Sequence, residues 1–509
     1  MNYCFTPIKI LLLLSMCVYA LSGCASFDYP APLVERTDSV IAQELSEVSQ
    51  SITSPVHLLG QGDEALLARL AMISHARYSI DIQVYIFKAD RSGATILAAL
   101  LQAAERGVKV RLLLDDFGTG QQDQRFASLN SHPNITVKLF NPSQLRQLPL
   151  TSILFDFSLK SRRMHNKLMI SDQQFAILGG RNIGDMYFDS ATTANFHDLD
   201  IILSDKAAQP LTRSFELYWQ HPLAVAMADI NTAKNAAGWQ ALAAELAATK
   251  PSSAELAAIA SYYQLTLAPL STAAAVTTHI VVDHPDKLLH DANKTTAHLV
   301  PVMQQILQDV QHSALIVSPY FVPNTTLYHQ LSQWVAAGAE VEVLTNSLAA
   351  TDVMAVHAGY APWRERLLSA GIQLWEFKPD PAQKQPSHSI LGSSRASLHA
   401  KTFVFDQRYV FIGSLNLDPR SVNLNTELGI ILDAPSLAQA ITTGIKQQLK
   451  STAYQLSYTA DAKQCQLQWL EWDPEADQVK QHYCHDPQVK SWQRWFTEFL
   501  SLLPIQNQL

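Results

Sequence analysis

The 509 residues exceed one average domain and offer ample material for a large core. Nearly half of them are apolar and only 16% are charged, which excludes a disordered or fibrous chain. The formal net charge of −8 supplies no broad basic field, so nucleic acid is not an expected partner.

Lys9 precedes an apolar run over 10–21, the length of a signal-peptide core and short of the roughly 20 residues that cross a bilayer. Leu21-Ser22-Gly23-Cys24 follows and resembles the bacterial lipobox, in which the cysteine is lipidated and becomes the mature first residue. The alternative is an uncleaved signal anchor with an incidental cysteine. Residues 1–24 are therefore expected to be a lipoprotein signal ending in a lipid anchor at Cys24, held stably if two or three acyl chains are attached. That places the body on the periplasmic side. Ala25 stands where an Asp would retain a Gram-negative lipoprotein in the inner membrane, so the outer membrane is favoured. Cys4 and Cys17 leave with the signal, and Cys465 with Cys484 can form a disulfide or remain two buried thiols.

Residues 25–55 are polar and irregular, with Pro30, Pro32 and Pro55, and read as a tether. Helical periodicity over 63–75 puts Leu66, Leu67, Leu70 and Ile73 on one face, and 79–87 alternates as a strand. A helix over 92–106 stops at Gly107 and leads to an apolar strand over 108–114. Strand, helix and strand at this spacing imply a parallel pair with a right-handed crossover. A short strand over 135–140 follows. The order returns with a helix over 302–310, a strand over 314–318, a helix over 325–337 capped by Gly338, and strands over 340–344 and 372–377. The economical reading is a duplicated α/β unit, with lobe 1 at 56–235, a helical connector at 236–298 and lobe 2 at 299–450. In the connector an Ala-rich helix over 236–250 ends at Pro251, and Ser252 with Glu255 forms a capping-box pattern for another helix reaching Tyr263. Residues 451–509 form an extension rich in Trp and Tyr.

The chemistry-bearing residues also occur twice. His165, Lys167, Asp172 and Gly179-Gly180-Arg181-Asn182 have the spacing of His399, Lys401, Asp406 and Gly413-Ser414-Leu415-Asn416. Residues two apart in a strand share a face, so each copy presents imidazole beside ammonium. That pairing suits a phosphoryl group: the ring attacks or moves a proton while the ammonium neutralises an oxygen. Asn182, Asn416 and Ser414 are candidate phosphate donors. Asp172 and Asp406 fall in expected turns at 171–174 and 406–409 and read as structural. Asp198 and Glu427 align in Asp198-Leu199-Asp200-Ile201 and Glu427-Leu428-Gly429-Ile430, and are candidate carboxylates for orienting the imidazoles, within a lobe or across. The plainer alternative is a pair of strand-end carboxylates. Tyr85 and Tyr320 end equivalent strands and line a headgroup site or pack in the core. His357 and Trp363 read as packing residues. No cluster at metal-ligand spacing accompanies the motifs, and neither metal nor cofactor is expected.

His-x-Lys-x4-Asp followed by a Gly-rich segment ending in Asn resembles the signature of the phospholipase D superfamily. Asp418, Arg420, Ser421, Asn425 and Glu427 extend the second copy toward the cardiolipin synthases. A closer likeness, to the C-type bacterial cardiolipin synthases, runs through Gly179–Asp185, Ser318-Pro319-Tyr320-Phe321-Val322-Pro323 and Leu344-Thr345-Asn346-Ser347-Leu348-Ala349-Ala350. Val356-His357-Ala358-Gly359-Tyr360 and Leu502-Leu503-Pro504 continue it, so that it covers about 56–509. The resemblance implies two phospholipase D-like lobes, each a mixed β-sheet flanked by helices, sharing one active site at their interface. It also implies phosphatidyl transfer between membrane phospholipids to give cardiolipin from phosphatidylglycerol and a second lipid, phosphatidylethanolamine or phosphatidylglycerol. One histidine forms a phosphohistidine while the other serves as acid and then base; family analogy makes His165 the nucleophile and His399 the proton carrier. The lipobox would hold this body outside the cytoplasm, unlike cytoplasm-facing relatives. Hydrolysis to phosphatidic acid by the same residues is the nearest alternative, then a nuclease or a non-catalytic lipid-binding lipoprotein.

Overall fold

The computed structural model describes residues 33–34, 36–119, 122–143, 161–191, 195–230, 234, 236–291, 294–379, 396–462 and 465–502. Cys24 and the expected signal segment lie outside the described residues.

The tether reading does not hold for residues 38–55. Ile41, Leu45 and Val48, spaced four and three apart, are buried by the helix Asp38–Val48, and strand β1 (Ser51–Leu59) follows at once. β1 is shared by the two lobes. Its first half pairs with β10 and its second half, from Val56, with β8. Pro55, with no N–H to give, stands at the handover.

Lobe 1 continues with β2 (Ser79–Ile86), β3 (Lys109–Gly118), β4 (Ile135–Phe140), β5 (Leu168–Ser171), β6 (Phe175–Gly179), β7 (Asn195–His197), β8 (Asp200–Ser204) and β9 (Ala224–Ala226). The pairings give the order β1-β8-β6-β5-β2-β3-β4-β9, parallel only in β2-β3-β4. Lobe 2 contains β10 (Ala275–Val282), β11 (Ser313–Val317), β12 (Glu340–Asn346), β13 (Gln373–Phe377), β14 (Ala396–Leu398), β15 (Thr402–Phe405), β16 (Tyr409–Gly413), β17 (Leu428–Asp433) and β18 (Ala453–Tyr458). Its order, β10-β17-β16-β15-β11-β12-β13-β18, is that of lobe 1 repeated, again with one parallel triplet, β11-β12-β13.

The crossover helices repeat as well. Arg91–Glu105 and Thr325–Ala336 begin at Asp90 and Asn324, whose side chains accept from the N–H of Gly93 and Leu327. Each is followed by a glycine in the left-handed region, Gly107 at φ 96° and Gly338 at φ 98°. Between the lobes, one apolar core takes Leu113, Phe140, Leu168 and Ile170 from one sheet and Leu315, Val317, Leu344 and Ile412 from the other. The two sheets therefore face each other across a largely apolar seam.

Two boundaries move. The connector does contain helices, Trp239–Glu245 and Ser253–Tyr262, the second with both hydrogen bonds of the Ser252–Glu255 capping box. It ends before β10, whose β-branched residues place it in the lobe 2 sheet. The extension also starts inside lobe 2, because β18 closes that sheet as β9 closes the other. Beyond it β19 (Leu467–Asp473) and β20 (Gln478–Tyr483) form a hairpin whose flanks are joined by a Cys465–Cys484 disulfide, with Cα atoms 5.4 Å apart.

Candidate active site

The two hairpins β5–β6 and β15–β16 carry the repeated motifs. Asp172 and Gln173 have φ of 52° and 54°, and Asp406 and Gln407 have 52° and 50°. Two central residues at positive φ form the tight turn that suits the twist of a hairpin. The second turn thus spans 405–408, one residue earlier than expected, closed by Arg408 N–H donating to Phe405 O at 2.9 Å. Asp172 accepts the N–H groups of Arg77, Tyr78 and Ser79 at 2.7–2.8 Å. Asp406 does the same for Gln311, His312 and Ser313 at 2.7–2.9 Å. Both aspartates pin the start of the neighbouring strand, at the end of the hairpin away from the histidines, and are structural.

At the other end each histidine is held by the opposite lobe. His165 N–H donates to Thr426 O at 2.9 Å beside a bridge between Met164 and Thr426, and Thr426 leads into Glu427. β14 runs parallel to β7, and His399 N–H donates to His197 O at 2.7 Å, beside Asp198. The side chains follow the backbone: His165 Nδ1 lies 2.9 Å from Glu427 Oε2, and His399 Nδ1 lies 2.5 Å from Asp198 Oδ2. The orienting carboxylates pair across the lobes. All four groups are buried, and each carboxylate is wholly inaccessible. With Nδ1 so engaged, Nε2 is the nitrogen left for chemistry.

Lys167 and Lys401 are buried beside their histidines, and each ammonium donates back to the carbonyl of the histidine two residues earlier. Asn182 accepts from Ile86 N–H at 3.1 Å and donates to Tyr187 Oη at 2.9 Å. Asn416 is buried with Nδ2 at 3.5 Å from Ser421 Oγ, and its Oδ1 meets no donor among the described residues. Ser414 is not a phosphate donor here, because its hydroxyl donates to Glu427 Oε2 at 2.5 Å and accepts from Leu428 N–H at 3.0 Å. It is a positioning residue for the carboxylate. Gly180 holds the equivalent place in lobe 1, where a Cβ would lie 2.2 Å from Asp198 Oδ1, so Asp198 fills the space that a side chain takes in lobe 2.

Several residues that sequence reasoning missed complete the site. Asp115, at the end of β3, accepts from Met164 N–H at 2.9 Å; Asn346, at the end of β12, grips Leu398 through both its N–H at 3.0 Å and its carbonyl at 2.9 Å. Each therefore fixes the residue before a histidine. Their signal was an acid or amide at the carboxyl end of matched parallel strands, where ligands gather. Asp283 accepts from Glu427 N–H and from Lys287 Nζ, both at 2.8 Å. Tyr187 and Phe196 pack on the His399 ring with centroids at 5.3 and 5.0 Å. Tyr85 meets His165 edge-on at 4.9 Å, and Tyr320 donates to Asp352 at 2.8 Å, so both border the site. His357 is buried in a cluster away from the chemistry, where Arg364 donates to its Nε2 at 2.7 Å and pairs with Asp486 at 2.7 Å.

The two copies differ electrostatically. Burial, followed by the charges of Lys167, Lys401 and His399, holds His165 well below the ordinary histidine value, so its ring is neutral. Burial pushes Glu427 up to about 7 against the pull of Lys167 and Ser414. For Asp198 burial acts upward, but His399 and Lys401 outweigh it and hold the carboxyl below its usual value. His399 is lowered by burial and Lys401, with Asp198 opposing. Burial brings Lys167 down to about 7 and lowers Lys401 as well. One histidine thus faces a firmly ionised partner and the other a carboxyl that exchanges its proton near neutrality.

The family described as cardiolipin synthase, PLD-like domain matches residues 70–219 and 303–449, one stretch in each lobe. Cardiolipin synthase C of Escherichia coli is 36% identical over 458 residues, covering 87% of this chain and 93% of its own. The chain belongs to this family. It is accordingly an enzyme of the phospholipase D superfamily, of the phosphatidyltransferase type. An uncharacterized protein of Helicobacter pylori strain 26695 is 32% identical over 88% of this chain and 91% of its own. The fold is that of the crystal structure of phosphatidylserine synthase from Haemophilus influenzae, at 14% identity, a TM-score of 0.59, and coverage of 92% of this chain and all of that one.

Proposed function

We propose that the enzyme makes cardiolipin, transferring a phosphatidyl group from phosphatidylethanolamine or phosphatidylglycerol to the headgroup hydroxyl of phosphatidylglycerol through a phosphohistidine. The observation that carries this reading is the pair of crossed histidine–carboxylate contacts at one seam, flanked by two buried lysines. In the first step His165 Nε2 attacks phosphorus, the bond to the donor headgroup oxygen breaks, and His399 Nε2 gives that oxygen its proton. In the second step His399 takes the proton of the incoming hydroxyl, whose oxygen attacks phosphorus and releases His165. The neutral state of His165 and the ionised state of Asp198 favour this division of roles. Lys167 and Lys401 neutralise the phosphoryl oxygens, and Asn182 and Asn416 border them.

The same reading places the body at a membrane, anchored through a lipidated Cys24 and facing the periplasm. The Cys465–Cys484 disulfide accords with an oxidising compartment. Incubation with labelled phosphatidylglycerol, with and without phosphatidylethanolamine, tests the chemistry. Cardiolipin is the expected product, and it should vanish in His165→Ala and in His399→Ala while both stay folded. Phosphatidic acid as the sole product would replace transfer by hydrolysis, and full activity in either variant would overturn the two-histidine mechanism.

A further inference from the structure

The helix Ser491–Ser501 near the end of the chain is turned the wrong way for a purely structural element. Trp492, Trp495, Phe499 and Leu502 are 56%, 66%, 46% and 82% exposed, and their spacing puts them on one face. The face against the protein is formed by Gln493, Phe496, Thr497 and Leu500, which are half-buried or buried. The solvent therefore meets the more aromatic side, on which Trp495 and Phe499 stack at 6.0 Å. Lys490 and the half-buried Arg494 flank the amino end of the helix beside this face, and the exposed Glu498 follows one turn later.

The helix is also rigidly presented close to the site. The disulfide fixes the preceding hairpin, Asp486 pairs with Arg364 at 2.7 Å, and Gln488 donates to Tyr454 Oη at 3.0 Å. It packs on the helix Met354–Tyr360, and just before that helix Asp352 holds the Tyr320 hydroxyl at 2.8 Å and bears electrostatically on Lys401. On the lobe 1 side Phe117 is 72% exposed and stacks on Tyr85, the ring that meets His165.

We propose that the helix Ser491–Ser501 lies in the headgroup region of a bilayer, with Trp492, Trp495, Phe499 and Leu502 inserted, and so seats the mouth of the active site on its lipid substrates. This rests on the reading that those substrates are membrane phospholipids. Eleven residues are too few to cross a bilayer, whereas Trp beside Lys and Arg is the composition of an interfacial helix.

The test uses the full chain with phosphatidylglycerol vesicles whose acyl chains are brominated, comparing wild type with W492S/W495S/F499S. The lipid anchor would keep both on the vesicle, so the readouts are tryptophan quenching and rate. Wild-type fluorescence should be quenched and the variant's largely spared. The variant should lose at least about tenfold in activity on vesicles and none on dihexanoyl phosphatidylglycerol below its micelle concentration. Leu265→Ser, at a 77% exposed position in the connector, should behave as wild type. Undiminished vesicle activity in the triple variant, equal losses on both substrates, or a wild-type dimer that the variant abolishes would overturn the proposal. Quenching that depends on the helix, in a protein with no phosphatidyl transfer, would instead sustain the docking and remove the function reading.

Discussion

Glu427→Gln isolates the charge that the second lobe lends to His165. The main chain at 427 is held by Asp283, and glutamine keeps the side-chain length and an oxygen for the His165 Nδ1–H, so geometry should survive. The charge does not. In the proposed phosphohistidine the His165 ring would be positive, 2.9 Å from the Glu427 oxygen. At an effective dielectric near 20, the attraction of two unit charges at that distance is about 6 kcal/mol. At about 1.4 kcal/mol per tenfold, the ceiling on the loss is about four orders of magnitude in the first step. Stability should move the other way. Because burial raises Glu427 from 4.5 to about 7, the native state keeps a proton that the unfolded state releases, and stability is lost as pH rises between those values. Removing the ionisable group should stabilise the protein by up to about 3 kcal/mol above pH 7, relative to the wild type, and by nothing below the unfolded value. The assay is single-turnover release of labelled headgroup by rapid quench, beside thermal unfolding at pH 4 and pH 8. Asp198→Asn is the comparator: a nitrophenyl leaving group, which needs no proton, should restore its burst but not that of Glu427→Gln. A Glu427→Gln rate within about tenfold of wild type would refute the cross-lobe charge argument, and a reversed rescue would exchange the roles of the histidines.

Lys167, brought down to about 7, should impose a fall in kcat/KM as pH rises through that value and the ammonium is lost; Lys167→Arg should move this limb upward, because guanidinium stays charged. Gly180→Ala sets a Cβ against Asp198 Oδ1 and should cost at least about tenfold in turnover, confined to substrates whose leaving group needs a proton. Asp406→Ala removes the acceptor of three partly exposed N–H groups and should cost about 2 kcal/mol in denaturant titrations, with turnover per folded molecule unchanged. Cys465→Ser opens a cross-link between residues 19 apart and should lower the stability of the terminal hairpin by about 3 kcal/mol, an effect that reductant reproduces in the wild type.

The duplication was legible because local signals come in matched pairs: left-handed stops at Gly107 and Gly338, and two tight turns at Asp172 and Asp406. The helix Asp38–Val48 was hidden because only three of its residues meet the core and prolines flank it. Ser414 misled for a subtler reason. Its place in a motif read as phosphate-binding says nothing about which acceptor its hydroxyl reaches, and that acceptor is the buried Glu427.

The pairing of histidines with carboxylates lay outside what sequence could decide. Asp198 and Glu427 align each within its own lobe, yet their partners are 201 and 262 residues away, selected by contacts between lobes. Those contacts tie the two copies together, since each lobe supplies a histidine whose ring is held by a carboxylate of the other. They also let the copies diverge. In one, a short aspartate reaches its histidine through the space left by Gly180; in the other, a longer glutamate is tied by Ser414 and backbone. Two near-identical motifs thereby set carboxylates of unlike proton affinity against their histidines, and the proposed two-step transfer at phosphorus needs such a difference, because at its first step one ring must be bare while the other carries a proton.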